Sequence, residues 1–344
     1  MKEVVISMDD TIKVDAKHYK ALLKRYIESQ DESSLYHAEQ VSKQFIKDNV
    51  LPDEIINLHN QALIEIFPDL SLDIQYSMNF LLETMIAYGL AHQEFQTLKE
   101  EQMELKSEIS VAANVQKTLL ATTKPHIEGV DIGVISVPAE QMNGDYYHFV
   151  KDGQGTLKIA IADVIGKGVP AALCMSMIKY SMDSMPEPLM YPKTILENLN
   201  RVVEQNVDPN MFITMFYGQY FPKENMLRYA SAGHEPGFHY MASLDDFKEI
   251  KSEGLVLGVL PDTAYKQYEL EIAVGDMIIL LTDGVTECRQ GNRFIEREEV
   301  LEVIKQYAHL PAQDLVDNVY KHFERIQSFE LKDDFTLIVL RKET

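Results

Sequence analysis

The sequence has few of the features that mark secreted, membrane-spanning or disordered proteins. It contains two cysteines in 344 residues, Cys174 and Cys288, which favours reduced, buried thiols over a disulfide framework. No uninterrupted apolar run approaches the roughly 20 residues that a membrane-spanning helix needs. The start, MKEVVISMDDTIKVD, lacks the small-residue cleavage site of a secretory signal. We therefore expect a cytoplasmic protein that does not enter a membrane.

Basic residues are also scarce relative to acidic ones. The chain has 32 Lys and Arg against 54 Asp and Glu, a formal net charge of −22. This balance argues against binding to nucleic acids or anionic membranes, because both require clustered basic side chains. It is compatible with divalent cations. Apolar residues make up 46% and charged residues 25%, which is typical of a folded protein, and the length predicts two domains.

Residues 1–90 show apolar spacing of three and four, which predicts helices rather than strands. Nothing in this part has a catalytic pattern. The short polar connections predict an antiparallel helical bundle. The four predicted helices run from Asp15 to Glu28, from a cap at Ser33 or Ser34 through Phe45, from Pro52 in a first turn, and from Leu72 onward.

Residues 91–122 predict a linker helix with a heptad seam. Two glutamines on the seam weaken it, although they can fix its register. One interpretation is a coiled coil with a second copy, which predicts a homodimer; the other is a long helix packed on its own domain. The seam positions are Phe95, Leu98, Gln102, Leu105, Ile109, Ala112, Gln116 and Leu119.

Residues 123–344 change to alternating and short apolar runs, which are typical of strands. Strands outnumber helices and occur in hairpin-like pairs, so we expect an α+β domain of antiparallel sheets covered by helices. The predicted strands are 130–137, 157–164, 212–221, 226–230, 237–241, 268–274, 277–282 and 335–341. The predicted helices are 170–184, 192–207, 297–307 and 312–327.

Four segments of this domain place an aspartate at the end of a predicted strand, beside glycine or another acid. Such an aspartate presents a carboxylate where a sheet meets solvent, and glycine lets the chain turn sharply there. Each one alone is weak evidence, because Asp-Gly is a common turn. The segments are Gly144-Asp145-Tyr146-Tyr147, Ala162-Asp163-Val164, Thr282-Asp283-Gly284 and Lys332-Asp333-Asp334-Phe335-Thr336.

Together, the four segments predict a site for hard cations. Carboxylate and carbonyl oxygens are the ligands that Mg²⁺ and Mn²⁺ prefer. Two such ions about 3.5–4 Å apart activate a water and clamp a phosphoryl oxygen. The residues alone therefore predict the transfer of a phosphoryl group to water, with no phosphorylated enzyme side chain.

The order of these motifs resembles that of the bacterial PPM phosphatases, and more narrowly the RsbU-type serine phosphatases of the general stress response. The resemblance covers the whole chain, including its helical N-terminal part. The segments that carry it are Gly144-Asp145, Ala162-Asp163-Val164-Ile165-Gly166-Lys167-Gly168, Ser231-Ala232-Gly233-His234-Glu235-Pro236, Thr282-Asp283-Gly284-Val285-Thr286-Glu287 and Asp333-Asp334-Phe335-Thr336.

The resemblance implies a PPM-type fold, which consists of two stacked antiparallel sheets flanked by helices. It also implies a site that binds two Mn²⁺ or Mg²⁺ ions. Asp163 bridges them, and the carbonyl of Val164 helps to hold one. Asp283 and either Asp333 or Asp334 complete the set; Asp333 is favoured by its place at the start of its motif. Asp145 lies in the segment that opens the site, so the implied catalytic residues are those at 145, 163 and 283.

The resemblance further implies partners. The substrate is phosphoserine or phosphothreonine on a small anti-sigma-factor antagonist, and an activating protein docks on the N-terminal helices. The linker helix then carries the effect to the catalytic domain. We expect the bistable element of this regulation in the segment Gly166-Lys167-Gly168-Val169-Pro170.

Other interpretations fit the residues less well. Gly166-Lys167-Gly168 lacks the spacing of a nucleotide-binding loop. His234 and His239 have no further ligand at zinc spacing, so His234 is interpreted as structural rather than catalytic. A metal-dependent nuclease conflicts with the acidic surface. The main alternative to an active phosphatase is a PPM domain that has lost turnover and acts as a regulatory binding module.

Overall fold

The computed structural model describes residues 16–48, 50–166, 168–185, 191–208, 210–291, 293–329 and 331–344. Asp15, in the predicted first helix, and Lys167, in the predicted bistable segment, lie outside the described residues. Contacts divide the chain into two compact units, residues 1–105 and 106–344. Among the described helices, none is long and apolar enough to cross a membrane.

The described part of the first unit is helical, as predicted. Pro52 occupies the first turn of the third helix, where its missing N–H costs nothing. The cap of the second helix is Asp31 rather than Ser33 or Ser34, because Asp31 accepts a 2.6 Å hydrogen bond from the Ser34 backbone N–H. The helices are α1 (Ala16–Ser29), α2 (Glu32–Lys47), α3 (Pro52–Ile66) and α4 (Leu72–Leu119).

Helix α4 merges the predicted fourth helix and the predicted linker into one helix of 48 residues. Three of its seam residues, Phe95, Leu98 and Leu105, are 57–61% exposed. Gln116 is 6% exposed and its hydrogen bonds go to residues of its own unit, as in the interpretation of a long helix packed on its own domain. Heptad spacing determines which residues share a helix face, but it does not determine whether that face packs on a second copy or on its own unit.

The second unit contains two five-stranded antiparallel sheets, as predicted, and a small hairpin. The first sheet has the order β1-β12-β9-β6-β7 and the second β2-β3-β4-β5-β8. The strands are β1 (Val130–Val137), β2 (Asp145–Lys151), β3 (Leu157–Val164), β4 (Ile213–Phe221), β5 (Met226–Ala232), β6 (Phe238–Met241), β7 (Asp246–Glu249), β8 (Tyr268–Glu271), β9 (Met277–Leu281), β10 (Arg289–Gln290), β11 (Arg293–Phe294) and β12 (Phe335–Lys342).

Helices cover both outer faces of the two sheets. Residues of α5 and α6 share a buried cluster with the second sheet, and residues of α8 and α9 share one with the first sheet. A third cluster fills the layer between the sheets. Cys174 and Cys288 are free and buried, as predicted. The helices are α5 (Val169–Asp183), α6 (Pro192–Asn206), α7 (Asp283–Thr286), α8 (Arg297–Gln306) and α9 (Ala312–Ile326).

Four strands were not predicted, namely β2, β7 and the short pair β10 and β11, and one predicted strand is too long. Strand β2 was not predicted, because Asp145, His148 and Lys151 interrupt its apolar run. The edge strand β7 was missed as well, since three of its four residues are charged and exposed. The strand predicted to reach Val274 ends at residue 271. Asp145 therefore begins a strand rather than ending one.

Candidate active site

The alternation of side chains along each strand carries the acids to one end of the layer between the sheets. In β3, Ile159 and Ile161 belong to the buried cluster between the sheets. Successive side chains of a strand point to opposite faces, so Asp163 continues the same face to the strand end. In β12, Ile338 belongs to that cluster, and the same parity places Thr336 on this face.

Asp145 and Asp163 lie side by side on neighbouring strands. They are paired residues in the antiparallel ladder of β2 and β3. Gly144 precedes them at the strand entry, where a Cβ atom would lie 3.0 Å from Asp334 Oδ2 and 3.8 Å from Asp163 Oδ1. The absence of a side chain at position 144 therefore allows acids from both sheets to approach each other.

Two threonine hydroxyls hold the carboxylate of Asp145. Thr282 Oγ1 donates a 2.7 Å hydrogen bond to Asp145 Oδ2, and the side chain of Thr336 also donates to this carboxylate. Thr336 Oγ1 in turn lies 2.9 Å from Ser136 Oγ. Asp145 is only 3% exposed, so these bonds offset part of the cost of burying a carboxylate.

Asp333 and Asp334 have different environments. Asp334 is buried, and both of its carboxylate oxygens accept backbone hydrogen bonds, from Ala139 N at 2.7 Å and from Gly144 N. Asp333 is exposed, and its Oδ1 accepts a 3.0 Å bond from Asp334 N. The first acid of the pair faces solvent beside the site, and the second fixes the segment that precedes Asp145.

Burial and neighbouring acids raise the pKa of Asp145, Asp163 and Asp283. Burial raises the pKa of Asp163 to about 7, and the charges of Asp283, Asp333 and Asp334 act in the same direction. Burial and the charge of Asp333 raise the pKa of Asp283 to about 6. Burial raises the pKa of Asp145 well above its usual value, with smaller contributions from neighbouring acids. Without a cation, this cluster favours bound protons.

The chemistry of this donor set suits a hard divalent cation, since it consists of carboxylates whose mutual repulsion such an ion would relieve. Among the residues that the structure describes, however, no group of three or more His, Cys, Asp or Glu side chains is arranged to hold a metal ion as it stands. The carboxylates of Asp145 and Asp334 accept hydrogen bonds from hydroxyl and backbone donors. The donor types fit, and their side chains must rotate to form a coordination sphere.

The Ser231–Pro236 motif supports the site from the second sheet. His234 is 3% exposed, and burial lowers its pKa to about 4. Its Nδ1 lies 2.9 Å from Thr214 Oγ1, and Thr214 is the ladder partner of Asp163. His239 makes a separate contact, with Nε2 2.8 Å from Asp276 Oδ2. The two histidines therefore have different partners.

Sequence reasoning missed the side chains that hold the acids. No role was predicted for Ser136, Asn143, Thr282 or Thr336. Both threonines nevertheless lie within the motifs from which the acids were predicted. A hydroxyl within two residues of an acid in two separate motifs is the signal that could have found the threonines. Gln116 carried no such signal.

Comparisons with known proteins agree with this architecture. The sequence model of the family described as Stage II sporulation protein E (SpoIIE) matches residues 153–343. The model of the Phosphoserine phosphatase RsbU, N-terminal domain, matches residues 17–91. Phosphoserine phosphatase RsbU of Bacillus subtilis (strain 168) is 53% identical over 334 residues, which cover 97% of this chain and 99% of the relative.

Solved structures show the same fold at low sequence identity. The SiaA-PP2C domain of Pseudomonas aeruginosa aligns with a TM-score of 0.61 and 18% identity, covering 70% of this chain and 98% of that one. The RsbU and RsbW domains of a Mycobacterium tuberculosis protein align with a TM-score of 0.55 and 23% identity, covering 65% and 63%.

The two stacked sheets, their flanking helices and the acids at one end define a PPM-type serine/threonine protein phosphatase. The 53% sequence identity with Phosphoserine phosphatase RsbU, over nearly the full length of both chains, identifies the family within this class. The chain belongs to the RsbU family of phosphoserine phosphatases.

Proposed function

We propose that this phosphatase is metal-dependent and binds two Mn²⁺ or Mg²⁺ ions between its sheets. The ligands are Asp163, the Val164 carbonyl, Asp283 and Asp333. Asp145, the ladder partner of Asp163, is a further acid of the site. The observation that carries the proposal is the approach of acids from both sheets. Asp163 pairs with Asp145 in the ladder of β2 and β3, and a Cβ atom at position 144 would lie 3.8 Å from Asp163 Oδ1 and 3.0 Å from Asp334 Oδ2. When bound, the ions supply Lewis-acid activation of water and neutralise phosphoryl charge.

Asp333 rather than Asp334 is the proposed ligand. Asp334 already accepts hydrogen bonds at both carboxylate oxygens, so turning this side chain toward a metal would strain or break its bonds to the backbone N–H groups. Asp333 is exposed and contributes to the raised pKa of both Asp163 and Asp283. In this proposal Asp333 binds the metal, whereas Asp334 accepts hydrogen bonds from the backbone.

The proposed substrate is a phosphorylated anti-sigma-factor antagonist in a bacterial stress-response partner switch. Support comes from the relative in Bacillus subtilis, which is named a phosphoserine phosphatase. We place the enzyme in the cytoplasm. The alternative of a catalytically lapsed binding module has no specific observation in its favour, because all the acids of the motifs are present.

The helical part is proposed to be regulatory. In this assignment residues 1–90 bind an activating protein, residues 91–122 form the linker, and residues 123–344 form the phosphatase domain. Support comes from the match of residues 17–91 to the RsbU N-terminal domain. The exposed apolar residues Phe95, Leu98 and Leu105 are a suitable surface for a homodimer.

The substrate proposal is tested by phosphate release from two substrates at saturating Mn²⁺. A small phosphoserine protein of the antagonist class is compared with p-nitrophenyl phosphate, which reports the chemistry alone. We expect turnover of both, with a larger kcat/KM for the phosphoprotein. Equal hydrolysis of unrelated phosphoserine proteins would contradict the assigned substrate class, and hydrolysis of none would contradict the function.

A further inference from the structure

The last turns of α4 carry one buried polar side chain, Gln116. It is 6% exposed, whereas its neighbours Val115 and Lys117 are exposed. Its Nε2 donates a 2.7 Å hydrogen bond to the backbone carbonyl of Asn143, and its Oε1 accepts a 3.1 Å bond from the backbone N–H of the same residue. The side-chain amide of Gln116 therefore binds both the backbone N–H and the backbone carbonyl of Asn143.

Asn143 passes this constraint to Asp145. Its Oδ1 accepts a 2.9 Å hydrogen bond from Asp145 N. Its Nδ2 donates a 3.0 Å bond to Ser136 Oγ, which contacts Thr336, a donor to the Asp145 carboxylate. The backbone and the side chain of Asp145 are thus both connected to the residue that Gln116 holds.

Gln116 also contacts α5. Its Nε2 lies 3.9 Å from the Sδ atom of Met175, which is buried in α5. Helix α5 begins at Val169, six residues after Asp163. One side chain of α4 therefore contacts the elements that flank both Asp145 and Asp163.

An open groove lies beside this contact. Its volume is about 510 Å³, and its walls include Gln116, Leu120, Ser136, Asn143 and Asp145. Close-packed interiors leave a segment no room to shift, whereas a groove of this size gives the Asn143–Asp145 segment space to move once its bonds are broken. The position of the segment thus depends on hydrogen bonds rather than on packing alone.

We propose that Gln116 is a positioning residue of the active site, whose amide fixes Asn143 and through it the place of Asp145. The proposal rests on the proposed function, since it assigns Asp145 to the catalytic site. It gives the end of α4 a defined chemical connection to the acids. A change in α4 that withdraws Gln116 would release Asp145 without disturbing the sheets.

Hydrogen exchange of the full-length, metal-free protein tests the connection without any turnover. Gln116→Met keeps a similar volume and removes both hydrogen bonds, and Lys117→Ala is the control on the exposed neighbour. We expect exchange of the amides in residues 142–146 to be about tenfold faster in Gln116→Met, with β4 and β9 unchanged and Lys117→Ala like wild type. Unchanged exchange in residues 142–146, or faster exchange throughout the unit, would overturn the proposal.

Steady-state kinetics with Mn²⁺ and p-nitrophenyl phosphate provide the second arm. We expect kcat of Gln116→Met to fall roughly tenfold while KM stays within about twofold of wild type, because the substrate contacts remain. Gln116→Glu keeps the acceptor for Asn143 N–H, but a carboxylate oxygen would then face the Asn143 carbonyl oxygen, so kcat should fall by at least as much. An unchanged or raised kcat would refute the positioning role. A wild-type enzyme without activity would refute the proposed function instead, and the exchange arm would still decide the connection.

Discussion

At the scale of single residues, Asp163 has the most informative environment. Its folded-state pKa of about 7 lies above the value of roughly 3.9 in an unfolded chain. The folded state therefore binds its proton more tightly, and the free energy of unfolding must fall as pH rises from about 4 to about 7. Above that range the full penalty remains until a cation neutralises the cluster.

Because of this penalty, we expect Asp163→Asn to stabilise the metal-free protein at pH 8. We expect a gain of about 1–3 kcal/mol at pH 8 and little change at pH 4, measured by urea unfolding in metal-free buffer. Glu271→Gln, at an exposed position on β8, is the matched control and should show no such dependence. A variant that is less stable than wild type at pH 8 would contradict the repulsion argument.

The neighbouring acids Asp333 and Asp334 should respond oppositely to the same change. Asp334→Asn converts an acceptor of two backbone bonds into a side chain that can accept fewer, so it should destabilise the metal-free protein by about 1–3 kcal/mol. Asp333→Asn should keep the fold and lose most Mn²⁺-dependent activity. Thermal unfolding and phosphate release distinguish the two, and the reverse pattern would assign the ligand to Asp334.

At the scale of elements, the turn from β9 into α7 depends on Gly284. A Cβ atom at this position would lie 2.1 Å from the carbonyl oxygen of Asp334, which is backbone and cannot rotate away. Gly284→Ala should therefore separate β9 from β12 at the site and cost about 1–3 kcal/mol of stability. It should also lower kcat, since Asp283 moves with the turn. Denaturant unfolding checks this, with Gly153→Ala as control because nothing lies within 4 Å there. Wild-type stability of Gly284→Ala would show that the strands are not held this closely.

Sequence predicted the elements well where their pattern is local. The apolar run of β3, which is buried on both faces, and the helical spacing in α9 could be recognised without tertiary contacts. Strand β2 could not, because its burial follows from lying between helices and the first sheet rather than from an apolar run. The acids were predicted from their motifs. Which of their carboxylate oxygens accept hydrogen bonds could not be predicted, because the donors include backbone groups that are distant in sequence.

Gln116 shows the same limit within a helix. The heptad spacing places Gln116 on one stripe with Phe95 and Leu98, yet the stripe changes its environment along α4. Phe95 and Leu98 are exposed, whereas Gln116 is buried against residues near Asp145. A coiled-coil pattern carries no information on where such a change occurs, because it depends on residues that are distant in sequence.

At the scale of the whole molecule, the exposed apolar residues of α4 lead to a prediction about assembly. If Leu98 and Leu105 pair with a second copy, Leu98→Glu with Leu105→Glu should convert a dimer into a monomer, because charges at a coiled-coil seam are strongly unfavourable. Sedimentation at micromolar concentration measures this. Lys117→Ala should remain dimeric, and a wild-type monomer under these conditions would contradict the dimer.

Acids from both sheets are proposed to hold divalent cations on which the activity of this phosphatase depends. The most direct measurement is the release of phosphate from a phosphoserine protein as a function of Mn²⁺ concentration, in wild type, Asp163→Asn and Asp283→Asn. We predict saturable activation of wild type, loss of activity on chelation, and at least a hundredfold lower kcat in both variants, on the order of 3 kcal/mol of transition-state stabilisation. Equal activity in the presence of chelator, or in both variants, would contradict the claim.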